Sequence, residues 1–403
     1  MTKRSLVLIA ILWLVVLAAG ISSALTIHFT GADQGWDVGL PVSKGVYVSE
    51  EEYSTLQSYA QLDEIRRIVL DQYYTEVDEE ALLTGAMRGM LDALEDRYSF
   101  YYTAQEMQEF VESASGEYKG VGMTMSIDGE GNLAIVRVFS GGPAHRAGIQ
   151  DGDNLLFVNE QRVSGETAET LNEALRLIEE CGDEEFTLTL RRGNEIYSVR
   201  LRRENVVINN VEYALLDGGI GYVQILEFMG NDVDGFLEAM TSFADAPLQG
   251  LIIDLRGNTG GILSDAVDIA DFLLPEGLIV YTEDRHGTRR EERSDASCVE
   301  YPVVCLVDGM SASASEVLAG AVQDHGVGAI IGEKTFGKGI VQTVYNLADG
   351  TGMQITTETY FTPAGRSIHG EGLQPDHEIS DDPATEIDEV LEYACKWLLE
   401  NDK

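Results

Sequence analysis

A serine hydroxyl attacks a carbonyl when a base takes its proton and nearby amides hold the charge that develops. Three clusters in the C-terminal half of this chain could supply those parts. Ser311-Ala312-Ser313-Ala314-Ser315-Glu316 falls between an apolar strand pattern at 303–307 and a helical one at 315–322, where a helix N-terminus supports negative charge. The same serines also read as caps of that helix, with Glu316 in its first turn. Phe336-Gly337-Lys338-Gly339-Ile340-Val341-Gln342 frames a lysine with glycines among apolar residues. Burial disfavours an ammonium ion, and a neutral lysine can accept a proton from serine. A salt bridge to one of the many carboxylates is the other reading of Lys338. Asp254-Leu255-Arg256-Gly257-Asn258-Thr259-Gly260-Gly261 follows an apolar strand, and the amides of Gly260 and Gly261 can point into an open site. An ordinary strand-to-helix turn carries such glycines too. His325, in Asp324-His325-Gly326, reads as a helix end and is the histidine rival to Lys338 as base. No G-x-G-x-x-G or phosphate-loop Lys-Ser/Thr pattern is present, which excludes the common nucleotide-binding chemistries.

These clusters need a scaffold that brings loops together at strand ends. After Arg203 the pattern alternates strand and helix: strands at 220–225, 251–255, 303–307, 329–332 and 353–361, helices at 233–243, 263–274 and 315–322. The segment 383–400 ends the chain as an amphipathic helix. The fold class is multidomain α/β.

Residues 116–203 carry strands, Gly-rich turns and one helix in an order that, with the phrase GGPAHRAGIQDGDNLLFVN, resembles a bacterial PDZ domain. In such a domain loop amides capture a C-terminal carboxylate while the peptide adds a strand to the sheet edge. That loop corresponds here to Gly120, Val121, Gly122 and Met123.

The three clusters, with GYVQILEF, LIIDLRGNTGG, DGMSASASEVLAGAVQDHG, GEKTFGKGIVQ and TPAGRSIHGEGLQPD, resemble the C-terminal processing peptidases, also called tail-specific proteases. The resemblance covers nearly all of the chain after the N-terminal apolar run and implies a crotonase/ClpP-like α/β peptidase core. It implies Ser313 as nucleophile, Lys338 as general base and Gln342 as the residue orienting the lysine. The amides of Gly261 (or Gly260) and Ala314 would form the oxyanion hole. The substrates would be polypeptides with free C-termini, and no cofactor or metal is required. Thr259 stands where many members have proline, which bears on loop stiffness. A silent PDZ scaffold and a small-ligand carrier on the same fold are the readings from other classes.

The N-terminal region sets the compartment. Lys3 and Arg4 precede an apolar run from Leu6 to Ala19, extended by Ile21 to Ile27, long enough for a membrane span. The charge bias puts the N-terminus inside and the rest outside: a single-pass signal anchor over 1–30, with a cleaved signal and secretion as the alternative. A linker follows at 31–49, then a helical region at 50–115 with apolar residues Leu62, Ile65, Val69 and Tyr73, and Leu82, Ala86, Met90 and Leu94, at helical spacing. These stripes need a partner, either within the chain or in a homodimer through residues 50–115. The PDZ domain spans 116–203, the peptidase core 204–380 and the C-terminal helix 381–403. A formal charge of −42 argues against nucleic acid as partner. Four cysteines are too few for a disulfide scaffold, although Cys298 and Cys305 could pair in an oxidising compartment.

Overall fold

The computed structural model describes residues 49–129, 131–163, 168–382, 385 and 387–401. The N-terminal apolar run lies outside them, and no helix among the described residues is long and apolar enough to cross a membrane. The chain divides into two compact units after Met90.

The first unit holds helix α1 (Glu50–Gln72) and most of α2 (Glu79–Asp92). Asp78 opens α2 by accepting from the Glu80 amide, with Glu79 and Glu80 in its first turn. Among its described residues none is buried; Leu56, Ile65 and Ile68 are each more than half exposed. The apolar stripes therefore form but are covered only in part: Val69, Leu82 and Ala86 are half-buried, while Leu62, Ile65 and Met90 stay exposed.

The second unit contains two bodies. The smaller is a sheet with strands Met123–Ile127, Leu133–Val138, Asn154–Val158, Phe186–Arg192 and Glu195–Leu201 in that order and the short Gln161–Arg162 beside Asn154–Val158, with helix Ala168–Glu180 packed on a core that includes Ile135, Leu155, Leu188 and Leu190. A ribbon pairing Glu117–Gly120 with Glu204–Val207 leads the chain in and out of it.

The larger body is built on two sheets. Strand β1 (Phe100–Tyr102) joins it first, although it lies about 250 residues from its partner. Then come β2 (Val211–Leu216), β3 (Ile220–Ile225), α3 (Asp232–Phe243), β4 (Gly250–Asp254), α4 (Leu263–Leu273) and the hairpin β5 (Gly277–Asp284) and β6 (Arg289–Ser294). Strand β7 (Val303–Val307) leads to α5 (Ala314–His325), β8 (Gly328–Gly332), the hairpin β9 (Ile340–Asn346) and β10 (Gly352–Phe361), the short β11 (His377–Glu378) and α6 (Glu389–Glu400). The main sheet has the order β2-β3-β4-β7-β8-β11, parallel except for β2. Strands β4 and β7 are buried at every residue, as expected for parallel strands covered on both faces. Leu251 and Ile253 face α3, α4 and α5; Ile252 faces α6 with Val390 and Leu398. The second sheet has the order β1-β10-β5-β6, with β9 on the other side of β10.

Two expectations are corrected. The helical region at 50–115 is interrupted: after α2 the chain turns, forms β1 and restarts as helix Ala104–Ser115, where Thr103 caps it in a reciprocal box with Glu106. Cys305 sits inside β7 while Cys298 is exposed, and both are free thiols.

Candidate active site

Ser313 immediately precedes α5 and has φ 57° and ψ −115°, a conformation strained for any residue with a Cβ. Such a backbone costs about 1–3 kcal/mol and persists only where its surroundings fix it. Here the Ser313 amide donates to Glu316 Oε2 (2.9 Å) and its carbonyl accepts from the Tyr360 hydroxyl (3.0 Å). Ser311 and Ser315 are fully buried and do not act as caps. They donate to the carbonyls of Leu255 (2.8 Å) and Asn258 (3.0 Å), so both tie the serine loop to the loop after β4.

That second loop is held in turn by Asn258, which donates to the Ile225 carbonyl (2.7 Å) and accepts from the Gly260 amide (2.8 Å). Gly260 is thereby committed. Gly261 is fixed by a bridge to Phe228, and a Cβ on it would lie 2.0 Å from the Phe228 carbonyl oxygen. A Cβ on Gly260 would lie 2.7 Å from that of Ser313, so the two loops touch only because residue 260 is glycine. The amides of Gly261 and Ala314 keep no acceptor among the described residues. Behind the loop, Arg256 binds buried Asp254 (2.6 Å) and, with both terminal nitrogens, Asp388 at the start of α6 (2.8 and 2.9 Å).

Glu316 joins the serine to the lysine. Fully buried, it takes four donors: Thr335 Oγ1 (2.5 Å) and the Gly337 amide (2.8 Å) on Oε1, and the amides of Ser313 (2.9 Å) and Lys338 (2.9 Å) on Oε2. One carboxylate oxygen thus fixes the backbone of both residues. No hydrogen bond joins Ser313 Oγ to Lys338 Nζ; the ammonium lies 4.6 Å from the centre of the Tyr98 ring. Burial lowers the pKa of Lys338, opposed by the charge of Asp96 and assisted by that of Arg97, with Glu316 a further opposing charge. Such contacts commonly tighten only when substrate is present.

Gln342, on β9, donates to Thr356 Oγ1 on β10 (3.1 Å), and Thr356 donates to Asp96 Oδ2 (2.6 Å). It does not hydrogen-bond Lys338 itself; it reaches the lysine's surroundings through Thr356 and Asp96. His325 lies at the far end of α5, about 18 Å along the helix from Ser313 by its rise per residue, and bonds the Leu278 carbonyl (2.7 Å). It cannot serve Ser313 from there.

In the smaller body, Gly120 ends the entry strand and Met123 begins the next, with Val121 and Gly122 between them. The Gly122 amide donates to the hydroxyl of Tyr118 (3.1 Å), whose ring packs over Gly120 and edge-on against Phe139. A phenol thus occupies an amide expected to meet a carboxylate. Sequence patterns give no sign that Asp96, Tyr98, Thr356 and Tyr360 belong to the site. The Thr103-x-x-Glu106 box, which forces the preceding helix to end before residue 103, is the one signal available for the first two.

The chain has relatives over most of its length. A profile of peptidase family S41 matches residues 219–379, a PDZ domain profile 135–192, and a profile of the N-terminal domain of the activating protease CtpB 32–106. The chain is 33% identical over 338 residues to a carboxy-terminal-processing protease of Bartonella bacilliformis, covering 81% of this chain and 76% of that protein. It is 33% identical over 320 residues to a probable CtpA-like serine protease of Staphylococcus aureus, covering 78% of this chain; it spans 63% of that relative's length. Among solved structures, a photosystem II D1 C-terminal processing protease is similar with a TM-score of 0.50 at 28% identity, over 87% of this chain and 98% of that one.

Proposed function

The chain belongs to peptidase family S41, among the carboxy-terminal-processing serine proteases, and on that premise we propose that it cleaves polypeptides through Ser313 and Lys338 after capturing their free C-termini. The observation that carries this reading is the shared Glu316 oxygen, which ties the serine and the lysine together across two loops. Neutral Lys338 takes the proton of Ser313, whose Oγ bonds to the substrate carbonyl carbon. The oxyanion is held by the free amides of Gly261 and Ala314, since that of Gly260 is engaged. Lys338 passes its proton to the leaving amine as the peptide C–N bond breaks, then takes one from the water that attacks the acyl-enzyme and returns it to Ser313 Oγ as the ester bond breaks. To do so Nζ leaves the Tyr98 ring for Ser313, and Gln342 holds the Thr356 hydroxyl nearby.

Tail capture rests on the loop 120–123. A substrate carboxylate would displace the Tyr118 hydroxyl from Gly122 and make a charge-assisted bond in its place. One peptide prepared as free acid and as amide tests both parts. The acid form is expected to be cut roughly tenfold faster, the energy of one such bond, and Tyr118→Phe to lower KM for it. Equal rates would remove tail capture. Cleavage of neither form would remove the peptidase and leave the silent scaffold.

The apolar residues left exposed on the helices of the first unit support a homodimer through residues 50–115, the second copy burying the stripe that holds Leu62 and Ile65. Sedimentation velocity is expected to show a dimer that Leu62→Glu with Ile65→Glu converts to monomer; a monomeric parent protein would end this reading. Lys3 and Arg4 before the apolar run support an exported enzyme on a single-pass anchor. N-terminal sequencing of the mature protein separates the anchor from a cleaved signal.

A further inference from the structure

The segment between α2 and helix Ala104–Ser115 contributes chemistry to a site made otherwise by segments after residue 250, far along the chain. Its Asp96 carboxylate accepts from Ser99 Oγ (2.6 Å), Thr356 Oγ1 (2.6 Å) and the Tyr98 amide (3.0 Å). Ser99 Oγ in turn accepts from the Thr356 amide (3.0 Å), so the turn is locked to β10 at two points. The next residues, β1, extend the same lock by pairing Phe100 with Gln354. Tyr98 lays its ring under the Lys338 ammonium.

We propose that Asp96 is a positioning residue for Lys338: it fixes Gln342 through Thr356 and governs how firmly the lysine amine keeps its proton. The inference rests on the Ser–Lys reading of the site. Three features make Asp96 suited to this work. It is anchored by three donors, so its charge stays in place. It acts on Lys338 through its charge without a hydrogen bond to it, and the base is therefore restrained without being locked away from Ser313. Burial raises the carboxyl pKa, but the hydrogen bonds from Ser99, Thr356 and Tyr98 outweigh it and the net shift is downward, which keeps Asp96 ionised wherever Lys338 titrates.

The other groups facing Lys338 are few. Arg97, on the same segment, opposes Asp96, and its guanidinium lies over the rings of Tyr98 and Phe336. Glu316 faces it from α5 with both oxygens engaged. On β10, Glu358 is paired with Arg290 (2.7 Å), and His369, whose backbone lies against Gly339, is exposed. Asp96 is the one carboxylate among these described groups that couples the lysine to the orienting glutamine.

Two substitutions separate the two duties. Asp96→Asn keeps an acceptor for Thr356 but removes the charge that favours the ammonium. Lys338 then loses its proton more readily, and the acidic limb of kcat/KM against pH is expected to move to lower pH with KM unchanged. Thr356→Val breaks the link to Gln342 and leaves the charge; kcat is expected to fall roughly 10- to 100-fold, as small misplacements do, with the limb in place. Should Asp96→Asn lose activity, acetic anhydride labelling of Lys338, quantified by peptide mass mapping across pH in the Ser313→Ala background, reads the same quantity. Adding Asp96→Asn to that background is expected to shift the labelling midpoint to lower pH. An unmoved limb and an unmoved labelling midpoint would overturn the proposal alone. A wild-type profile without a lysine-dependent limb would overturn the Ser–Lys reading, and this inference with it.

Discussion

Replacing Lys338 by alanine is expected to lower kcat/KM for an unfolded protein substrate by roughly 10⁴-fold or more, the loss typical of removing one member of a coupled catalytic unit. Ser313→Ala is expected to do the same, and the double variant little worse. The fold should survive both changes, because Ser313 is held by its backbone amide and carbonyl and Lys338 by its amide. Ser313→Gly carries a further consequence. Glycine adopts φ 57° without the strain that a Cβ imposes, so this inactive variant should be more stable than the parent by about 1 kcal/mol, read as a higher Tm. The pH dependence follows from the sign of the lysine's shift. Burial brings Lys338 below its ordinary value, only its neutral form is a base, and the rate should rise with pH through that titration. His325→Gln should leave the profile where it is, since that ring bonds Leu278 at the far end of α5. Near wild-type cleavage by Lys338→Ala, or a limb that disappears with the histidine, would transfer the base elsewhere.

The second large effect belongs to Glu316→Gln. Each carboxylate oxygen accepts two donors, and an amide replaces one oxygen by a group that can only donate. Whichever way the glutamine turns, at least one backbone donor faces another donor: either the amides of Ser313 and Lys338, or that of Gly337, since the Thr335 hydroxyl can turn to accept. An unsatisfied buried donor costs about 1–3 kcal/mol, so a fall in unfolding free energy of at least roughly 1–3 kcal/mol is expected. Activity should drop about 100-fold or more even at temperatures where the variant remains folded, because Ser313 and Lys338 lose their common anchor. A variant with unchanged Tm and kcat/KM would show that this carboxylate fixes neither loop.

Much of this was legible in the chain. The fully buried runs at 251–255 and 303–307 identify themselves by continuous apolar character, and the motif phrases point to the family to which the chain belongs. The helices at 233–243 and 263–274 appear within a residue of those positions. What sequence could not give was partnership at long range. Glu316 reads as a first-turn acid beside a helix start, and only the fold brings Thr335, Gly337 and Lys338 to it. Ser311 and Ser315 look like caps because local hydrogen bonding is the default for such residues, yet each reaches a carbonyl 56 or 57 positions away. Asp96 and Tyr98 sit where helical periodicity ran on through a break. Three-residue β1 has no pattern of its own and is strand only because β10 lies beside it.

The pairing of Phe100 with Gln354 also dictates an order of events in the life of each molecule. A ribosome adds about 5–20 residues per second, so the 254 positions between these partners (354 − 100) correspond to roughly 13–50 seconds of synthesis. Throughout that interval the segment bearing Asp96 and Tyr98 has been made and the strand that receives it has not. The smaller β body, complete by Leu201, can fold in the meantime, whereas the lysine pocket cannot. A nascent chain can therefore complete the smaller body well before the surroundings of Lys338 exist, because Asp96 and Tyr98 wait for the strand that carries Gln354 and Thr356.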